Sequence, residues 1–158
     1  MEYGTTFIPK KRSSRLLLVD DDLAAIKTVG TILKKAGYQI NVARDGRQGL
    51  EVIAKTPPDL ILSDLEMPKM NGIDFCRAVH SNHAMKDIPF LFLSGSREIE
   101  DIVEGLKAGA VDYIFKPFNY LELLTRLDTH LSLRETRLRY DEDVPLRVPE
   151  DLRRHFQR

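Results

Sequence analysis

The sequence predicts an α/β fold: a doubly wound, five-stranded parallel sheet with helices on both faces and an extended C-terminal helix. Three observations predict it. Short apolar runs recur five times, and their consecutive apolar residues suit strands covered on both faces. Between them lie segments whose apolar residues repeat at helical spacing. The two kinds alternate along the chain, which is the pattern of βαβ units with right-handed crossovers.

The elements follow in order. Leu16-Leu17-Leu18-Val19 is the first strand and ends abruptly in Asp20-Asp21-Asp22. Leu23, Ile26, Val29 and Leu33 mark the first helix, with Asp22 suited to its N-cap and Gly37 to its stop. Tyr38 to Ala43 forms the second strand. A helix over about 46–55 ends before Pro57-Pro58, since the residue before a proline is pushed out of helical geometry. Leu60-Ile61-Leu62 is the third strand, followed by Ser63-Asp64, and a third helix runs from Gly72 to His80. Pro89 opens the fourth strand, Phe90 to Leu93. Ile99, Ile102, Val103 and Leu106 mark the fourth helix, stopped by Gly109. Val111 to Phe115 is the fifth strand, and a long helix begins near Asn119.

Composition removes several classes. Hydrophobic residues make up 42% and charged residues 30% of the 158, a soluble globular balance rather than a disordered one. Lys+Arg and Asp+Glu are both 24, so no net charge drives the chain toward nucleic acid or anionic membrane. The single cysteine, Cys76, excludes an internal disulfide framework and reads as a packing residue. No apolar run approaches the ~20 residues of a membrane span, and Met1 to Arg15 lacks a signal-peptide core. A cytoplasmic protein is expected, with no membrane association and no direct nucleic-acid binding.

Doubly wound sheets hold ligands at the carboxyl ends of their strands. The residues just past the strands are therefore informative. Asp20 and Asp21 follow the first, Asp64 the third, Ser94 and Gly95 the fourth, and Lys116 and Pro117 the fifth. Three carboxylates held together require a cation, and hard oxygen donors suit Mg²⁺ or Mn²⁺. A lysine and a hydroxyl beside them suit a phosphoryl group, and a carboxylate can itself attack phosphorus. Each residue alone has an ordinary reading as a cap, a turn or a solvated charge. Their joint order points to a site.

The chain resembles a receiver domain of a two-component response regulator. The resemblance lies in Leu17-Leu18-Val19-Asp20-Asp21-Asp22 and in Pro58 to Gly72, with Asp64, Met67-Pro68 and Asn71-Gly72 at characteristic places. It continues in Ile88 to Gly95 and in Gly109 to Phe118, with Lys116-Pro117-Phe118 after the fifth strand. It covers roughly three quarters of the chain, and it implies a flavodoxin-like sheet of strand order 2-1-3-4-5. It further implies that Asp64 is the phosphoacceptor and that Asp20, Asp21, Asp64 and the Glu66 backbone carbonyl hold Mg²⁺ (or Mn²⁺). Ser94 and Lys116 would contact the phosphoryl group, Tyr113 would turn inward on activation, and the Lys116-Pro117 peptide would be cis. The acidic side chain of Glu66 leaves the lifetime of the acyl phosphate open. A phosphatase with an aspartyl-phosphate intermediate would want a second aspartate at that position.

The resemblance implies a signalling switch rather than an enzyme. Its partner would be a histidine kinase or a histidine phosphotransfer protein. A homodimer is expected through the fourth helix, fifth strand and fifth helix, whose Asp112, Glu122 and Arg126 resemble charged positions in winged-helix regulator dimers. Ile102 stands where a basic residue would be expected, so it is read as an apolar contact replacing one ion pair. The alternative is the N-terminal regulatory receiver domain of a larger enzyme, such as a sensor kinase, nucleotide cyclase or phosphatase.

The expected organisation is a mobile basic arm over 1–14, a receiver domain over 15–133, and a helical extension or linker over 134–158. Leu131 and Leu138 continue the spacing of Leu124 and Leu127, compatible with a short coiled-coil continuation. Asp141-Glu142-Asp143 and Pro145 read as a linker, and Pro149 to Phe156 as a short helix. Either there is no separate output domain or the chain is cut from a longer protein. His80, His83, His130 and His155 share no metal spacing and read as surface or packing residues.

Overall fold

The structure is a computed structural model and describes residues 14–143. The readings of a basic arm and of a segment from Pro145 to Phe156 lie outside the described residues. In chain order the elements are β1 (Arg15–Val19), α1 (Leu23–Lys35), β2 (Gln39–Ala43), α2 (Gly46–Lys55) and β3 (Leu60–Ser63). They continue as α3 (Gly72–Ser81), β4 (Phe90–Ser94), α4 (Ile99–Lys107), β5 (Asp112–Phe115) and α5 (Tyr120–Asp143). The strands form one parallel sheet in the order β2-β1-β3-β4-β5.

Alternation along the strands divides the core between the two faces. Leu16, Leu18, Leu60, Leu62, Leu91 and Leu93 face Val29 and Leu33 of α1 and Leu123, Leu124, Leu127 and Leu131 of α5. Leu17, Val19, Ile61, Phe90 and Phe92 face Ile53 of α2, Phe75, Cys76 and Val79 of α3, and Ile102 of α4. A strand buried on both faces must be apolar at consecutive positions, which is why β1, β3 and β4 are so plain in the sequence.

Side chains set the helix starts. Asp22 accepts from Ala24 N–H at 2.9 Å, Asp45 from Gln48 N–H at 2.9 Å, and Asn71 from Asp74 N–H at 2.8 Å. Gly37 and Gly109, with φ of 97° and 116°, end α1 and α4 in the left-handed region that a side chain disfavours. By contrast α4 starts at Glu98 without a side-chain cap, and its one fully buried residue is Gly105.

Some boundaries differ from expectation. β4 runs on to Ser94, whose carbonyl accepts from Lys116 N–H at 2.9 Å and so continues the pairing with β5. α5 continues through 141–143, expected as linker, because no glycine or proline interrupts it before Pro145. Arg134, one residue past the expected domain boundary, donates to Asp59 Oδ1 at 2.9 Å. The other oxygen of Asp59 accepts from Arg15 N–H at 2.8 Å, so one carboxylate joins the start of β1 to α5.

Gly30 lies buried in the middle of α1, yet a Cβ placed there meets nothing within 4 Å. Gly30→Ala should therefore stabilise the fold by about 0.5–1 kcal/mol, mainly by restricting the unfolded chain. Urea unfolding should show a higher midpoint at an unchanged slope; a lower midpoint would contradict the open space seen around Gly30.

Candidate functional site

The carboxyl edge of the sheet gathers the predicted residues. Asp20 leaves β1 with its N–H bonded to Ala43 O at 3.1 Å, and Asp64 leaves β3 with its N–H bonded to Val19 O at 2.8 Å. These ladder-like bonds fix both backbones against the central strands. Asp20, Asp21 and Asp64 each present a carboxylate oxygen, and the three atoms lie within 4.8 Å of one another. Asp20 is buried, Asp64 half-buried and Asp21 exposed, so the cluster forms a pocket open on one side. Lys116 reaches across from the end of β5 and places Nζ 3.1 Å from Asp20 Oδ2. The peptide between Lys116 and Pro117 is cis.

The donor set fits a hard divalent cation: several carboxylate oxygens on one open side, with no sulfur or imidazole among them. Burial raises the Asp64 carboxyl above the ordinary carboxylate range. Lys116 opposes that shift, the Asp20 charge adds to it, and the N–H groups of Leu65 and Glu66 oppose it. The Leu65 N–H bond to Asp64 Oδ1 is 2.7 Å long. The Glu66 side chain points into solvent. Gly72 packs so closely on this turn that a Cβ would collide with the Asp64 carbonyl and come within 2.9 Å of Leu65 Cα. Only a glycine permits α3 to start there.

Ser94 ends β4, and Tyr113 lies on the neighbouring strand β5. Ser94 is buried, and its Oγ accepts from Ser96 N–H at 3.2 Å. Tyr113 is buried, and its Oη donates to Ser96 O at 2.9 Å. Its ring sits between those of Phe92 and Phe115, at centroid distances of 6.0 and 5.3 Å. The Arg97 guanidinium covers Phe115 at 4.4 Å.

Three features were not visible in the sequence. Arg44 Nη2 donates to the Asp21 carbonyl at 3.0 Å, bracing the acidic loop from the end of β2. Ile102, expected to face a dimer partner, is partly buried against the core; Ile99, Val103, Leu106 and Val111 are among the exposed apolar residues of that face. Asp112, Glu122 and Arg126 are paired with one another, Arg126 lying 2.7 Å from Asp112 and 3.1 Å from Glu122. His130 joins them 3.0 Å from Asp112, a polar contact with the first residue of β5.

Comparisons with known proteins agree with this geometry. A family model described as the response regulator receiver domain matches residues 16–128. The DNA-binding response regulator MtrA of Mycolicibacterium paratuberculosis is 37% identical over 131 residues, which are 83% of this chain and 54% of MtrA. The chain thus spans about half the length of the curated relatives it matches. Among solved structures, the chemotaxis response regulator CheY4 of Vibrio cholerae is similar with a TM-score of 0.71 and 35% identity, covering 75% of this chain and 99% of that one. The receiver domain of a histidine kinase from Syntrophus aciditrophicus is similar with a TM-score of 0.72 and 28% identity, covering 87% and 98%. The chain belongs to the response regulator receiver domains of two-component systems, which are signalling domains. No helix among the described residues is long and apolar enough to cross a membrane.

The raised Asp64 carboxyl has a consequence for stability in the absence of metal. A carboxyl that binds its proton more tightly folded than unfolded disfavours the folded state while ionised. That penalty is complete above the raised folded value and vanishes below the usual 3.8. Asp64→Asn should therefore be the more stable protein at neutral pH in EDTA, and its lead should shrink as pH falls through that window. Urea midpoints at several pH values check this, and a variant no more stable than wild type at pH 7 would contradict it.

Proposed function

We propose that the chain is a phosphorylation-controlled switch in which Asp64 accepts a phosphoryl group from a histidine kinase or a histidine phosphotransfer protein. The observation that supports it best is the convergence of Asp20, Asp21 and Asp64 with Lys116 at one edge of the sheet. An Asp64 carboxylate oxygen attacks phosphorus while the P–N bond to the donor imidazole breaks and its electron pair returns to the ring. Asp20, Asp21, Asp64 and the Glu66 carbonyl would hold Mg²⁺ (or Mn²⁺), which would supply positive charge against the phosphoryl oxygens. Lys116 exchanges its Asp20 contact for a phosphoryl oxygen, and the Ser94 hydroxyl donates to another. Within this chain the chemistry is limited to gaining and losing that group.

The signal leaves through α4, β5 and α5. Ser94 and Tyr113 both bear on the loop before α4, and α4 exposes Ile99, Val103 and Leu106 on one side. We propose that phosphorylation favours a homodimer through this face, with Val103, Leu106 and Val111 as its apolar part and Asp112, Glu122 and Arg126 as its charged rim. DNA binding is part of MtrA's description. For this chain we propose control of a partner rather than direct contact with nucleic acid. A second reading, the receiver of a larger enzyme, is favoured by the likeness to the histidine kinase receiver. Reading the encoded sequence beyond Arg158 separates the two.

Two outcomes are expected. With Mg²⁺ and a small acyl phosphate or phosphoramidate, intact mass should show one added phosphate on wild type and none on Asp64→Asn. Equal yield on the variant would remove Asp64 as the acceptor.

Beryllofluoride, an acyl-phosphate mimic, should raise the dimer fraction in sedimentation. Val103→Glu should cancel that rise without blocking beryllofluoride binding. A protein monomeric with and without the mimic up to near-millimolar concentration would refute the dimer and leave the acceptor assignment intact.

A further inference from the structure

Ser96 is inconspicuous in the sequence, yet four hydrogen bonds converge on it. Its N–H donates to Ser94 Oγ at 3.2 Å, and its carbonyl accepts from Tyr113 Oη at 2.9 Å. Its hydroxyl donates to Asp101 Oδ2 at 2.6 Å and accepts from Glu98 N–H at 3.4 Å. Every polar atom of Ser96 is engaged. Asp101 belongs to the first turn of α4, the helix whose own N-cap residue makes no side-chain bond. The Ser96–Asp101 bond ties α4 to the loop that carries Ser94.

We propose that Asp101, acting through Ser96, is a positioning residue for the Ser94 hydroxyl and hence for the anion that Asp64 carries; the inference rests on the phosphoacceptor reading above. A serine hydroxyl has one O–H and two lone pairs. The Ser96 N–H occupies one lone pair of Ser94 and leaves the O–H to donate to a phosphoryl oxygen. This arrangement holds only while the Ser96 backbone is held. Gly95 beside it is exposed, with open space where a Cβ would stand, and offers no restraint of its own. The restraint comes from outside the loop: Tyr113 on the carbonyl and Asp101 on the hydroxyl. The Asp101 bond has the length of a hydroxyl donating to an ionised carboxylate, the stronger kind of hydrogen bond. A donor fixed beforehand meets developing charge without reorganising.

The test uses the full chain, with Mg²⁺ and beryllofluoride as probes in calorimetry. Asp101→Ala and Ser96→Ala should each weaken beryllofluoride binding by about threefold to tenfold, the worth of one hydrogen bond. The double variant should be no weaker than Ser96→Ala, because that substitution already removes the bond to Asp101. Asp101→Asn keeps an acceptor oxygen in place and should recover most of the affinity, although it removes the charge from the start of α4. The affinity for Mg²⁺ alone should be unchanged throughout. Wild-type affinity in both alanine variants would overturn the inference. So would losses that multiply in the double variant, or Mg²⁺ binding that falls in parallel, which would mean general loosening. A wild-type protein that fails to bind beryllofluoride would overturn the phosphoacceptor reading itself, a result distinguishable from all of these.

Discussion

Asp20, Asp21 and Asp64 carry like charges whose oxygens lie within 4.8 Å of one another. At an effective dielectric of about 20, each such pair repels by about 3 kcal/mol. Nothing local keeps them together, since Asp64 stands more than forty residues from the other two. The central strands do. β1 and β3 are buried on both faces, and their backbone bonds carry on past the strands to the Asp20 and Asp64 N–H groups. Separating the carboxylates would mean breaking the middle of the sheet. Lys116 offsets part of the repulsion from β5, and Asp22 uses its own carboxylate to start α1 rather than joining the cluster.

Two close approaches shape the surroundings of that cluster. Gly72 lets α3 begin against the Asp64 carbonyl, and Gly105 lets α4 rest on the Phe92 ring, where a Cβ would come within 2.9 Å of a ring carbon. One fixes the turn that presents the carboxylate. The other lets a helix lie low over the sheet, with Ile102 its one side chain packed on the core cluster. The rigid and the lightly held parts of the molecule are thus set by the same device, applied against backbone in one place and against an aromatic ring in the other.

Much of this was legible because burial on both faces leaves a plain mark. The runs 16–19, 60–62 and 90–93 are apolar without alternation, and the residue after each run falls where the sheet delivers it. The caps at Asp22, Gly37 and Gly109 were legible for the same local reasons. Strand order was not readable from the runs and came with the family resemblance. Ile102 was misjudged because Ile99, Ile102, Val103 and Leu106 together cover more of the helix surface than one core-facing stripe. Spacing alone did not say which side the sheet would take. Ser96, Arg44 and His130 were missed because their partners Asp101, Asp21 and Asp112 are brought near by loops and crossovers, and serine, arginine and histidine on a surface carry no pattern. The length of α5 is not marked in the sequence, because the acids at 141–143 read as a linker while only glycine or proline breaks a helix.

The thin seating of α4 has a thermodynamic consequence. α1, α2 and α3 each bury three or more residues, whereas α4 buries Gly105 alone. Ile102 is partly buried against the core, and the other ties are polar: Ser96 to Asp101 at one end, and the Arg77–Glu104 ion pair of 2.7 Å to α3. Segments with few buried apolar contacts open at free energies far below that of global unfolding. Stability in this molecule is therefore graded, with a well-buried sheet beneath and a lightly seated helix above it. A perturbation worth one or two hydrogen bonds is a larger share of that local stability than of the global one. The part of the molecule that a small perturbation would loosen first is thus the helix with the fewest buried side chains, while the sheet that carries the carboxylates stays closed.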